Sequence, residues 1–266
     1  MTIEITSSFS FHIDQPTDLL LQFQAAAIPE QVILEHDTWL TKALHLASIP
    51  AQARIGERLW VRATGDYRVD YTAKVDVKRQ VHDLGSLAQL DPHDLPGEAV
   101  EYVFDSRYCQ ADRMQNFVAD TFGNHAGGAK VVAMRDWIAE NFTYTPGASD
   151  ASTTALETFV ERRGVCRDFA HVMICFARAS TIPARYVSCY APGVTPQDFH
   201  AVAEVFLADP QMPGGGSWQI VDPTGMADPA TTVKIGIGRD AADVSFMTSF
   251  GFARFDGSSV DVREMA

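Results

Sequence analysis

The chain has 266 residues, 46% of them hydrophobic, which is enough for one large or two modest cores, so it is expected to be folded throughout. Its 21 Lys and Arg against 34 Asp and Glu give a formal charge of −13, and the basic residues occur only as scattered pairs such as Lys78-Arg79 and Arg162-Arg163; neither nucleic acid nor an anionic membrane is an expected partner. The start, MTIEITSSFSFHID, has no charged segment followed by an apolar stretch, and no window approaches about 18 apolar residues, which points to the cytoplasm.

The first hundred residues alternate. Met1 to Ile13, Leu19 to Ala25, Leu59 to Tyr67 and Arg68 to Val81 carry β-branched and aromatic residues at every second position, with turns expected at Gly56 and Gly65-Asp66. This predicts a small antiparallel β domain over 1–97, whose exposed edges would allow a homo-oligomer. Leu90 to Gly97, with two prolines and a glycine, reads as the linker. Helices are predicted over 112–122, 129–141, 155–162 and 166–180, and strands from Ala184 to the end, forming a second domain over 98–266.

Within that second domain, Gly164 allows a tight entry into the apolar helical run FAHVMICFARA, which places Cys166 in a first helical turn. The free N–H groups and the dipole of such a turn stabilise a thiolate. Most free cysteines are small core residues, and that is the reading for Cys109, Cys175 and Cys189; four cysteines in a chain of this length do not form a disulfide scaffold. Cys166 stands apart because a base and an orienting acid follow it. His200 opens an alternating strand over His200 to Leu207. A Gly-rich turn at Gly214 to Gly216 then leads into a short strand that stops at Asp222, where Pro223 cannot continue the ladder. A hairpin of these strands presents His200 and Asp222 side by side, in the order nucleophile, base, acid.

The segments YVFDSRY (102–108), WIAENFTYTPG (137–147), TALE (154–157), RGVCRDFA (163–170), IPARYV (182–187), His200-Ala201, Asp222-Pro223-Thr224 and GRDAADV (238–244) follow one another as in the bacterial transglutaminase-like family of cysteine proteases and acyltransferases, which the chain resembles over most of its length. The resemblance implies an α+β, papain-like transglutaminase core preceded by the β domain. It assigns Cys166 as nucleophile, His200 as general base and acid, and Asp222 as the carboxylate that orients the imidazole. Where many relatives read His-Ala-Trp, this chain has His200-Ala201-Val202, which alters the wall beside the histidine. The implied chemistry is attack on a protein or peptide amide, a cysteinyl thioester, then hydrolysis or transfer to an amine, with no cofactor and no metal. An oxyanion requires donors; the Cys166 N–H is one, and Tyr108, in the matched SRY segment, is a candidate second.

Other polar residues have structural readings. Asp168 suits the helix start, where it satisfies free N–H groups and could pair with Arg185 or Arg163. His171, four residues before Cys175, reads as a buried histidine. A zinc hydrolase using Cys166, His171 and Cys175 is the alternative chemistry, and a binding module on the same scaffold is the non-catalytic alternative. Glu204 is left between a surface group and a partner for an active-site arginine, and no EF-hand-like loop predicts calcium.

Overall fold

The computed structural model describes residues 1–209, 211–212 and 215–265; Gly214, expected in a turn, lies outside them. In chain order the elements are β1 (Thr2–Leu21), β2 (Gln31–Leu40), β3 (His45–Pro50), β4 (Glu57–Val77), α1 (Gly97–Val100), α2 (Gln115–Phe122), α3 (Gly127–Asn141), β5 (Thr143–Tyr144), α4 (Ala155–Glu161), β6 (Arg163–Gly164), α5 (Cys166–Ala179), β7 (Ala184–Tyr190), β8 (His200–Ala208), β9 (Gly216–Val221), β10 (Val233–Gly238), β11 (Met247–Ser249) and β12 (Arg254–Glu264).

Long antiparallel strands β1 and β4 form the axis of the first sheet. Ile3, Ile5, Phe9, Phe11 and Ile13 of β1 and Tyr67, Val69, Tyr71 and Val75 of β4 point into one core, as strict alternation demands. Gly65-Asp66, expected as a turn, lies inside β4. Gly65 adopts φ +79 where β1 shifts register between Ile13 and Thr17, so the pair of strands bends without reversing. Strands β2 and β3 pair with opposite halves of β4. Neither strand was expected; β2 leaves most of its side chains in solvent and carries no apolar period.

The same sheet is completed by the end of the chain: β11 and β12 both pair with β1. A division into 1–97 and 98–266 therefore cuts through this sheet. The physical reason is edge protection, since β12 covers the unpaired ladder of β1 from Ile3 to His12.

The second sheet has the order β10-β7-β8-β9, all antiparallel. Helix α5 packs on one of its faces through Ala201, Ala203, Val205 and Leu207, while Val187, Val202, Ile220 and Ile237 are buried on the other with Tyr102. Strand β8 is thus covered on both sides, a correction to the half-exposed alternation expected of it. Helix α5 is buried from Asp168 to Arg178, as an apolar helix in the centre of a domain must be. The two sheets share a core: Tyr190, Val233 and Ile235 enter the first cluster, and Tyr190 Oη donates to the Phe23 carbonyl at 2.7 Å.

Candidate active site

Cys166 is the first residue of α5. The entry is tight: a Cβ on Gly164 would lie 2.7 Å from Asp168 Cβ. Asp168, third in the helix, accepts from the Val165 N–H at 2.8 Å and from the Ser149 hydroxyl, and its other oxygen meets Arg167 at 3.4 Å. It therefore fastens the helix start, as read from the sequence, but with Arg167 as its basic partner in place of Arg185 or Arg163.

His200 begins β8, and Asp222 follows the last residue of β9. The β8-β9 hairpin brings His200 Nε2 to 2.9 Å from Asp222 Oδ2, both side chains almost fully buried. The Asp222 carboxylate also accepts from Thr224 N and Oγ1 and from the N–H groups of Met226 and Ala227. Burial works against its charge, but these donors and His200 outweigh it and hold the carboxyl below its usual range. Burial likewise disfavours a charged His200, yet the hydrogen bond to Asp222 and the electrostatic pull of the Cys166 sulfur beside it prevail and raise its pKa to about 10. His200 Nδ1 carries no hydrogen bond and is the nitrogen left to exchange a proton with the sulfur.

Cys166 and His200 line a cleft of about 330 Å³ together with Tyr108, Arg167, Phe199 and Phe246. The structure thus brings Cys166, His200 and Asp222 to one place. Tyr108 lines the cleft, but its hydroxyl donates to the Ala151 carbonyl at 2.7 Å and its ring stacks on His171, so its proton is not offered to the sulfur side. Tyr144, which the sequence reading passed over, sits nearer the nucleophile. The parallel pairing of β5 with β6 sets it beside Gly164. Burial raises its pKa to about 12; the Cys166 sulfur adds to this, and the Cys166 N–H, donating towards its oxygen, opposes it. The signal was the YTPG segment itself, whose partner strand precedes the cysteine.

His171 is held elsewhere. It lies between the rings of Tyr108 and Tyr186, its Nε2 accepts from the Ala241 N–H at 3.2 Å, and burial lowers its pKa to about 3. It is a neutral structural histidine, and the structure does not gather it with Cys166 and Cys175 as metal ligands; among the described residues such a grouping occurs only at the exposed Asp91, His93 and Asp94. Glu204 is not a surface group but the partner of an arginine. It is buried against Arg185 at 2.7 Å and against Lys234, which also meets Glu30.

A cysteine at the start of a buried helix, facing a histidine and a carboxylate on an antiparallel sheet, defines the papain-like α+β class. The profile of the transglutaminase-like superfamily matches residues 106–223. The crystal structure of a candidate cysteine protease from Cytophaga hutchinsonii is 33% identical, superposes with a TM-score of 0.90, and is covered over 99% of this chain and 90% of that one. The chain belongs to the transglutaminase-like superfamily. An uncharacterised protein of Mycobacterium tuberculosis strain H37Rv is 32% identical over 185 residues, which cover 64% of this chain and 58% of that protein. The uncharacterised Bacillus subtilis protein YebA is 26% identical over 208 residues, 68% of this chain and 26% of YebA. The match thus spans little more than half the length of the mycobacterial relative.

No helix is long and apolar enough to cross a membrane among the described residues.

Proposed function

We propose that the protein is a thiol enzyme that cleaves or transfers the acyl group of a protein or peptide amide. The observation that carries this reading is the buried His200, bound to Asp222 through Nε2 and open towards Cys166 through Nδ1. A histidine with a pKa near 10 is protonated at neutral pH, and its charge favours a thiolate beside it. The sulfur attacks the amide carbonyl and forms the C–S bond. His200 then gives its Nδ1 proton to the departing nitrogen as the C–N bond breaks, leaving a thioester. Water or an amine attacks the thioester, His200 takes up its proton, and the thiolate leaves. The Tyr144 hydroxyl, whose oxygen the Cys166 N–H approaches, is the donor that serves the oxyanion, in place of Tyr108.

The test is alkylation of the protein by iodoacetamide as a function of pH, with peptide mapping of the four cysteines. Cys166 is expected to react fast, to remain reactive below pH 7, and to slow in His200→Ala. Labelling of Cys166 no faster than that of an ordinary thiol sinks the mechanism.

A further inference from the structure

Part of the cleft's wall is apolar and belongs to the first sheet and the segment leading into it. Phe246 ends the segment that follows β10, Met247 opens β11, and Phe199 immediately precedes His200; all three line the cleft and all are only partly buried. Phe246 and Phe199 stack face to face, with centroids 5.3 Å apart and ring planes 11° apart. Behind them the rings continue into the core of the first sheet: Phe9 meets Phe246 at 5.9 Å and Phe199 at 6.2 Å, and Phe255 of β12 meets Phe246 at 5.5 Å. The Phe246 carbonyl accepts from the Gln22 N–H at 2.9 Å, just past the end of β1, so backbone and ring are both fixed. A rigid apolar surface left partly open beside a nucleophile is positioned for binding; packing alone would have closed it.

We propose that Phe246, stacked on Phe199, is the specificity-determining residue of the cleft and forms a subsite for a bulky apolar side chain of a peptide acyl donor. The proposal rests on the thiol-enzyme reading of the same cleft. At about 330 Å³ the cleft has room for one such side chain with its flanking backbone. Burying a large apolar side chain there strengthens binding by about tenfold or more over glycine.

The experiment uses the Cys166→Ala protein, which binds without turnover, and five peptides: acetyl-tetraglycine amide and the four versions with one phenylalanine. Affinities are read by NMR titration. One phenylalanine position is expected to bind about tenfold or more tighter than tetraglycine. Phe246→Ala in the same background should erase that gain, and Phe246→Leu, which keeps an apolar wall, should retain most of it. Equal binding of all five peptides, binding of none, or a preference that survives Phe246→Ala overturns the proposal. Iodoacetamide labelling of wild type reports separately on the thiol, so a slow Cys166 with an intact phenylalanine preference refutes the chemistry and leaves the subsite standing.

Discussion

His200 carries the site's electrostatics, and its titration is measurable without a substrate. Its pKa is about 10 when folded and about 6.5 when unfolded, so its contribution to stability is complete below about pH 6.5 and is lost as the pH rises towards 10. Denaturant midpoints measured between pH 6 and 10 are expected to fall more steeply for wild type than for His200→Ala; parallel curves would refute a raised pKa. Asp222 orients this imidazole, and Asp222→Ala is expected to lower turnover by up to about 10⁴-fold, read as kcat/KM on any amide the enzyme accepts. Cys166, His200 and Asp222 were legible because each falls at a recognisable boundary: a helix start, a strand start, a strand stopped by Pro223. Phe246 was not, because nothing in its own segment shows that pairing with the chain after β1 carries it to the cleft; Tyr144 showed only as part of the YTPG stretch, which does not itself reveal the pairing with β6.

At the scale of the element, α5 holds the thiol, and its start is the vulnerable point. The free Val165 N–H is satisfied by Asp168, and Gly164 leaves room for that carboxylate to fold back. Asp168→Ala removes a buried acceptor serving Val165 and Ser149, and is expected to cost about 1–3 kcal/mol in denaturant unfolding and to slow Cys166 alkylation. Gly164→Ala should act in the same direction, since the new Cβ contacts Asp168 Cβ and Oδ2 at 2.7 Å. Loss of neither stability nor thiol reactivity in both variants would contradict this account. Helices α2 to α5 lie close to the expected spans, and α5 begins where Gly164 and Asp168 suggested, whereas the short α1 follows the prolines of the expected linker and was not foreseen. Strands β2 and β3 escaped notice because sheet pairing with β4 orders them, whereas their own composition does not.

Across the molecule, one buried charge network joins the sheets. Glu204 of β8 lies between Arg185 of β7 and Lys234 of β10, and Lys234 reaches Glu30 ahead of β2, which in turn meets Arg79. Burial opposes the Glu204 charge, but Arg185 and Lys234 prevail and bring its pKa down to about 2. Glu204→Gln leaves the buried Arg185 without a carboxylate and Lys234 with Glu30 alone, and is expected to cost about 3–5 kcal/mol by chemical denaturation, a loss far above that of an exposed pair such as Lys74 with Glu35. A cost below about 1 kcal/mol would show that the network is solvated.

The place of β12 governs the order in which the molecule can be made. Its ladder with β1 sets Ile3 opposite Glu264, a pairing far apart in sequence whose loop is costly to close, so the contact order is high and folding is expected to be slow. On the ribosome, the catalytic helix emerges and can collapse while β1 still waits for its neighbour, with an open edge exposed to other nascent chains. Phe255, the ring that backs Phe246, arrives with β12. The helix that carries Cys166 is therefore synthesised before the strand that backs its cleft, and the interval between them is when chaperone protection matters most.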